Sequence, residues 1–221
     1  MSSLVTLTEP RSATAEAYRA LRTNLAFARP GEPLRSLLVA APSVHEDASS
    51  ALANLAVVTA QAGSRVLVVD ADLRRPSQHV LFGVDHARGV TTALVGEVDV
   101  EDCLQVTAVE GLRVLASGPL PPNPAELLGG RGMTALLERV TSLADLVLLD
   151  APPLLPVTDG AVLAPRLDGV LLVLVAGRSR RDHAARARAV LDNVGARLIG
   201  VVLTDAGAAT AGYPTYGSGG A

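Results

Sequence analysis

Strand-length apolar runs alternate with helix-patterned segments along almost the whole chain. The runs cover residues 34–41, 65–69, 112–116, 146–149, 170–175 and 198–203. The most apolar of them are continuous rather than alternating, which is the pattern of strands buried on both faces. Between them, helices are predicted at 13–28, 49–62, 78–82, 90–94, 133–143, 158–164 and 180–194. Such an order specifies an α/β fold in three layers, a mostly parallel central sheet with helices on both faces. Punctuation agrees with the boundaries. Gly63 follows 49–62 as a C-cap, and Arg29-Pro30-Gly31 ends the first helix. Residues 118–124 are proline-rich and read as irregular.

The chain has 221 residues, 49% of them hydrophobic, enough for one domain with a sizeable core. That domain is expected at 13–205, between a flexible N-terminus (1–12) and a disordered Gly/Ala-rich tail (206–221) that carries Tyr213 and Tyr216. A net charge of −3 gives no basic footprint, so no nucleic-acid partner is expected. The longest apolar run, 170–176, falls far short of the roughly 20 residues a membrane helix needs. No secretory leader is expected. The single cysteine, Cys103, excludes an internal disulfide, suits a reducing compartment and reads as a small buried residue.

Three carboxylates stand just after predicted strands: Asp70 and Asp72 after 65–69, and Asp150 after 146–149. In open parallel sheets the ligand crevice lies beyond the carboxyl ends of the strands. Carboxylates there can hold magnesium through water and orient an attacking hydroxyl. The alternative is that they cap turns or pair with Arg74 and Arg75. Three at matching places favour the ligand site.

The segment Val68-Val69-Asp70-Ala71-Asp72-Leu73-Arg74-Arg75-Pro76 resembles the Walker A′ motif of the bacterial tyrosine kinases, the BY-kinase family of capsule and exopolysaccharide systems. Leu148-Leu149-Asp150-Ala151-Pro152-Pro153 is similar to that family's Walker B motif, and Leu155-Pro156-Val157-Thr158-Asp159 continues the likeness. Asn54-Leu55-Ala56 resembles the helix after its phosphate loop. Glu16, Arg19 and Arg22 match the E-x-x-R-x-x-R helix through which these kinases form rings. The resemblance runs from about Ala15 to Leu203. It implies a P-loop NTPase-like fold of the deviant class related to MinD and ParA proteins, with Mg-ATP or Mg-ADP as ligand. It also implies that Ser49, Asp70 and Asp150 serve the metal and that Asp72 acts as base toward a tyrosine hydroxyl. Homo-oligomerisation, a transmembrane polysaccharide co-polymerase or adaptor as partner, and a cytoplasmic place at the inner face of the membrane follow from the same likeness, membrane contact being indirect.

The loop departs from the family. A phosphate loop reads G-x-x-x-x-G-K-[ST], its glycines letting backbone N–H groups close around phosphate. Here Pro42 and Asp47 take the glycine places, Ala48 takes the lysine place, and Ser49 remains. The candidate phosphate-binding residues are therefore Ser43, Val44, His45, Glu46, Asp47, Ala48, Ser49 and Ser50. The family commonly carries a Glu where Glu46 stands, so Asp47 is the anomaly, a carboxylate at the mouth of a helix where phosphate would bind. Two unit charges about 5 Å apart at an effective dielectric of about 20 repel by roughly 3 kcal/mol. All 19 basic residues are arginine; compositional drift against lysine would have left an arginine at 48, not alanine. Asp47 also suits a helix N-terminus, so an internal anion replaces the external one. His45 reads as a solvated loop histidine, with no second His or Cys at ligand spacing.

These features yield a degenerate kinase homologue, a pseudokinase-like scaffold of exopolysaccharide or capsule biosynthesis and export. An autokinase with an atypical loop is the alternative; it would need another arginine, such as Arg74 or one from a neighbouring subunit, in place of the lysine, and would phosphorylate Tyr213 or Tyr216. A ParA/MinD-like positioning ATPase is disfavoured by the E-x-x-R-x-x-R helix and the missing lysine. Tyr18 reads as an interface or core residue. Arg178, Arg180, Arg181, Arg186 and Arg188 read as a solvated helix face, or as one that meets anionic lipid or an acidic segment.

Overall fold

The computed structural model describes residues 4–28 and 31–207. Its strands are β1 (Ser36–Ala40), β2 (Val66–Asp70), β3 (Leu104–Val106), β4 (Leu112–Leu115), β5 (Leu146–Asp150), β6 (Gly169–Val175) and β7 (Leu198–Thr204). Its α-helices are α1 (Val5–Thr8), α2 (Ala13–Ala26), α3 (Ala48–Ala60), α4 (Gln78–Phe82), α5 (Val90–Leu94), α6 (Pro124–Gly129), α7 (Arg131–Leu143), α8 (Asp159–Leu163) and α9 (Arg181–Asn193). The strands form one seven-stranded sheet in the order β3-β4-β2-β5-β1-β6-β7, parallel except for the β3–β4 edge.

Every residue of β1 and β2 is buried, as a central strand with both faces covered requires. Successive side chains alternate between two cores. Leu38, Leu67, Val69 and Leu149 face one core with Met133, Leu137 and Val140 of α7 and Leu191 of α9. Leu37, Val39, Val66 and Val68 face the other with Leu52, Leu55 and Val58 of α3. Helix α3 is buried almost all round because α2 packs over its outer side; its many alanines keep that three-deep stack close. Tyr18 of α2 joins this core, and burial first, then Asp47 and Asp205, pushes its hydroxyl up to about 12.

Three elements differ from the sequence expectation. Residues 5–8, within the segment read as flexible, form α1. Thr6 is fully buried there, its N–H and hydroxyl donating to Asn54 Oδ1 of α3 at 3.0 and 2.9 Å. Strand β3 was not predicted, because three residues, two half-buried and Val106 exposed, show neither an apolar run nor a clear alternation. Helix α6 starts on Pro124, the residue read as the end of an irregular stretch; proline suits the first helical turn, where its missing N–H costs nothing. Of the first helix's predicted terminator, Arg29 and Pro30 lie outside the described residues, as does the tail from 208 onward with Tyr213 and Tyr216.

Candidate functional site at the carboxyl ends of β1, β2 and β5

Parallel register places Asp70 at the end of β2 directly beside Asp150 at the end of β5. Both are fully buried. Asp70 Oδ2 accepts the backbone N–H groups of Ser77 and Gln78 at 3.0 and 2.9 Å. Asp150 Oδ2 accepts the Gln78 side-chain amide at 2.7 Å, and the same amide nitrogen donates to the Ser49 carbonyl at 3.2 Å. Burial raises the Asp70 carboxyl to about 7, against the pull of the Gln78 and Ser77 N–H groups, while Asp72 adds to the rise. Burial, then the neighbouring Asp70, raises Asp150 well above the usual carboxylate range; hydrogen bonds from Gln78 and Ser49 oppose it. The second oxygen of each, Oδ1, is buried without a partner, and so are Gln78 Oε1 and Ser77 Oγ.

Asp72 is turned toward its own chain. Its Oδ1 accepts the N–H groups of Arg74 and Arg75 at 3.0 and 2.9 Å, which shapes the turn after β2. Arg74 is not available to stand in for a loop lysine. Its guanidinium holds fully buried Asp159 through two bonds of 2.7 and 3.0 Å, tying this turn to the start of α8.

In the loop between β1 and α3, chain carboxylates occupy the N–H groups a phosphate loop would offer. Asp47 is the N-cap of α3, accepting the Ser50 N–H at 2.9 Å. Glu46 is buried, accepts the Ser43 N–H at 2.8 Å and takes a hydrogen bond from the Ser179 hydroxyl. Ser179 in turn accepts the Val175 N–H at 2.7 Å, so the segment before α9 is fastened to the loop. Ala48 is buried, while Val44, His45 and Asp47 are exposed. A cavity of about 380 Å³ opens against this loop, and Glu46, Ala48, Ser49, Asp72 and Arg75 are among its walls. A larger depression of about 930 Å³, with Glu97 and Arg139 in its lining, shares no residue with it.

Glu16, Arg19 and Arg22 share one face of α2. Glu16 and Arg19 pair at 2.9 Å, and Arg19 also donates to the Pro10 carbonyl at 2.7 Å. Arg22 donates to the Val58 carbonyl of α3 at 3.2 Å. Arg180 pairs with Asp182 at 2.9 Å, and Arg178, Arg181, Arg186 and Arg188 are exposed.

The sequence reading missed Gln78 and Ser179. Gln78 opens a short helix two residues after Pro76, and a buried glutamine there has no apolar role. Its position eight residues after Asp70 was the available signal. Nothing in the sequence marked Ser179 among its arginines.

The residues fit magnesium on one side only. Orphaned Oδ1 atoms on two adjacent buried carboxylates match an ion that is usually held by one or two carboxylates and several waters. Asp70 and Asp150 would hold it, with Ser49 alongside, and it would supply positive charge against phosphate oxygens. Among the described residues no group of three or more His, Cys, Asp or Glu could hold a metal unaided. The loop does not fit phosphate in the usual way, since two carboxylates occupy it and no cation stands at 48.

A strand-end acid pair beside a β1–α3 loop, on this strand order, defines a P-loop NTPase-like protein. Similarity narrows the class. The chain is 37% identical over 201 residues to the tyrosine-protein kinase YwqD of Bacillus subtilis (strain 168), covering 91% of this chain and 85% of that protein. It is 32% identical to the tyrosine-protein kinase wzc of Salmonella typhi, matching 98% of its own length but 30% of that longer protein. Its fold superposes on the chimerical protein CapA2B2 with a TM-score of 0.87 at 33% identity, covering 92% of this chain and 89% of the other. The cell-division ATPase MinD of Pyrococcus furiosus shares the fold at a TM-score of 0.66 and 24% identity. No protein-family model matches the chain. The chain belongs to the bacterial tyrosine-kinase family.

Proposed function

We propose that this protein is a non-catalytic or weakly nucleotide-binding scaffold or regulator of capsule or exopolysaccharide biosynthesis and export. One observation carries the reading. Glu46 accepts the loop N–H of Ser43 while Asp47 caps α3 through Ser50, and Ala48 offers no cation. The loop is thus complete without phosphate, and a phosphate entering it meets negative charge. The scaffold assembles through Glu16, Arg19 and Arg22 and docks a transmembrane co-polymerase or adaptor from the cytoplasmic side. The wzc relative supports such a partner, because there the matching module is less than a third of a longer protein. Among the described residues no helix is long and apolar enough to cross a membrane.

The orphaned oxygens of Asp70 and Asp150 favour a second reading, an autokinase with an atypical loop in which Asp72 serves as base. Incubation with Mg-ATP separates the two. The scaffold gives no phosphate on Tyr213 or Tyr216 by mass spectrometry, while the double substitution Asp47→Gly with Ala48→Lys gains nucleotide affinity by two decades or more, roughly 3 kcal/mol. Phosphate on either tyrosine of the unaltered protein sinks the scaffold reading.

A further inference from the structure

The sheet has two edges, and they end differently. At one edge β3 is three residues long, antiparallel and tied down by Gln105, whose side-chain amide accepts the Asp85 N–H at 2.9 Å and donates to the Asp85 carbonyl at 2.5 Å. At the other edge β7 runs for seven residues, Leu198-Ile199-Gly200-Val201-Val202-Leu203-Thr204, with no charge and no proline. Its inner side pairs with β6, and among the described residues no strand lies on its outer side. The Thr204 carbonyl accepts the Ala176 N–H on the β6 side at 2.9 Å. Backbone groups alternate sides along a strand, so Leu203 and Val201 turn their N–H and carbonyl groups outward. The side chains of the same two residues, on one face of the sheet, are 48% and 52% exposed. A long, uncharged, apolar edge is a template for another strand. Charge marks its two ends. Arg197 precedes the strand and Asp205 follows it, both exposed, and neither makes an ion pair among the described residues.

We propose that β7 is a self-association surface whose occupant is β7 of a second copy of this chain, paired antiparallel about a two-fold axis at Val201. Val201 is the middle residue of Leu198–Thr204, and its outward backbone groups then exchange hydrogen bonds with those of the second Val201. Directly opposed residues share a face, so Leu203 meets Ile199 of the other copy and the exposed apolar pair is covered. The same register sets Arg197 against Asp205 of the other copy, once at each end of the paired strands. Sliding the pairing by two residues loses both charge contacts. A second copy is favoured over a foreign strand because the edge complements itself in apolar pattern and in charge. One seven-residue strand makes a small interface, so the dimer dissociates on dilution. Antiparallel pairing points the carboxyl strand ends of the two copies in opposite directions, which keeps the two candidate sites apart. The contact uses none of Glu16, Arg19 and Arg22 and does not depend on the scaffold reading.

The test is disulfide trapping in the full-length protein. Val201→Cys places a thiol beside its own counterpart at the axis, where the Cα separation of a hydrogen-bonded antiparallel pair, about 5.5 Å, suits a disulfide. Val106→Cys on exposed β3 and the wild type, whose Cys103 is buried, serve as controls. Each protein is first shown to melt cooperatively. Expected under a mild oxidant are a covalent dimer, and nothing larger, from Val201→Cys and none from the controls. In the Val201→Cys background, Arg197→Glu or Asp205→Lys alone should lower the dimer yield about tenfold, since the two-fold repeats each repulsion, and the two together should restore it. Adding Glu16→Ala, Arg19→Ala and Arg22→Ala should leave the yield unchanged. No dimer from folded Val201→Cys overturns the inference, and so does a yield indifferent to charge reversal. Loss of the dimer with the α2 substitutions would assign the contact to the α2 face and overturn it as well. None of these results touches the scaffold reading, which turns on nucleotide affinity and tyrosine phosphate.

Discussion

The two halves of the site resolve the same problem in opposite ways. Both carry carboxylates at or just after the carboxyl end of a strand. At β2 and β5, two buried carboxylates each keep one oxygen without a partner. At the β1–α3 loop the carboxylates are satisfied by the chain itself, Glu46 by Ser43 and Ser179, Asp47 by Ser50. A buried acceptor without a donor costs stability unless a ligand, a proton or water completes it. The buried acid pair thus keeps two acceptor atoms without donors, while the loop is closed on itself.

The largest expected effect tests what holds the buried acid pair. The Gln78 amide bridges Asp150 and the Ser49 carbonyl, joining β5, α3 and α4. Gln78→Leu leaves the Asp150 carboxylate without that donor in a fully buried place. The cost is about 3 kcal/mol, which lowers the melting temperature by roughly 6–12 °C. An unchanged melting temperature would mean that the bridge does not form.

Next comes a pH effect with a definite sign. The folded Asp70 carboxyl sits at about 7, above its ordinary value of 3.8, and Asp150 is displaced the same way. The folded state therefore binds more protons than the unfolded chain between these values. Stability from this pair is present below about pH 4 and is lost as pH rises through about 7. Asp70→Asn removes the ionisation and still accepts from Ser77 and Gln78. At pH 8 it should raise stability by on the order of 1 kcal/mol, or about 2–4 °C, and should flatten the melting profile between pH 4 and 7. A variant whose profile keeps the wild-type slope would clear Asp70 of that role. Saturating magnesium should stabilise the wild type more at pH 8 than at pH 5, because the ion competes with the protons.

Asp47→Ala probes the closed half. Losing an N-cap side chain costs about 1 kcal/mol. The same change removes a negative charge from the loop mouth, so nucleotide affinity should rise as stability falls. Movement of both quantities in one direction would separate the cap from the anion-replacing role.

Much of this was legible in the sequence, for reasons that differ by residue. The central strands were plain because burial on both faces forces an unbroken apolar run, and α4 and α5 were bounded as they occur. Asp70, Asp72 and Asp150 were marked together by their strand-end positions, and register sets Asp70 beside Asp150. Asp47 as an internal anion followed from helix-terminus electrostatics. Contacts that cross the fold were not legible. Gln78 matters through Asp150, 72 positions away, and Ser179 through Glu46, 133 positions away. That Arg74 is taken up by Asp159, 85 positions away, was likewise hidden, since no local pattern near 74 reveals it.

The smallest effect on stability belongs to the α2 face, and it carries the most weight for the scaffold. In the single chain Glu16 is mostly exposed and its bond to Arg19 is an i,i+3 surface pair, while Arg22 contributes one bond to a carbonyl. Surface pairs of this kind are worth at most about 1 kcal/mol. Replacing Glu16, Arg19 and Arg22 by alanine should therefore leave the melting temperature within about 4 °C of wild type. If these residues join copies of the chain, light scattering should nonetheless show a smaller mass, with the adaptor supplied where wild type alone is monomeric. A large loss of stability at unchanged mass would make them intramolecular braces of α2 against α3, and the loop half would then have lost phosphate without the chain having gained a ring.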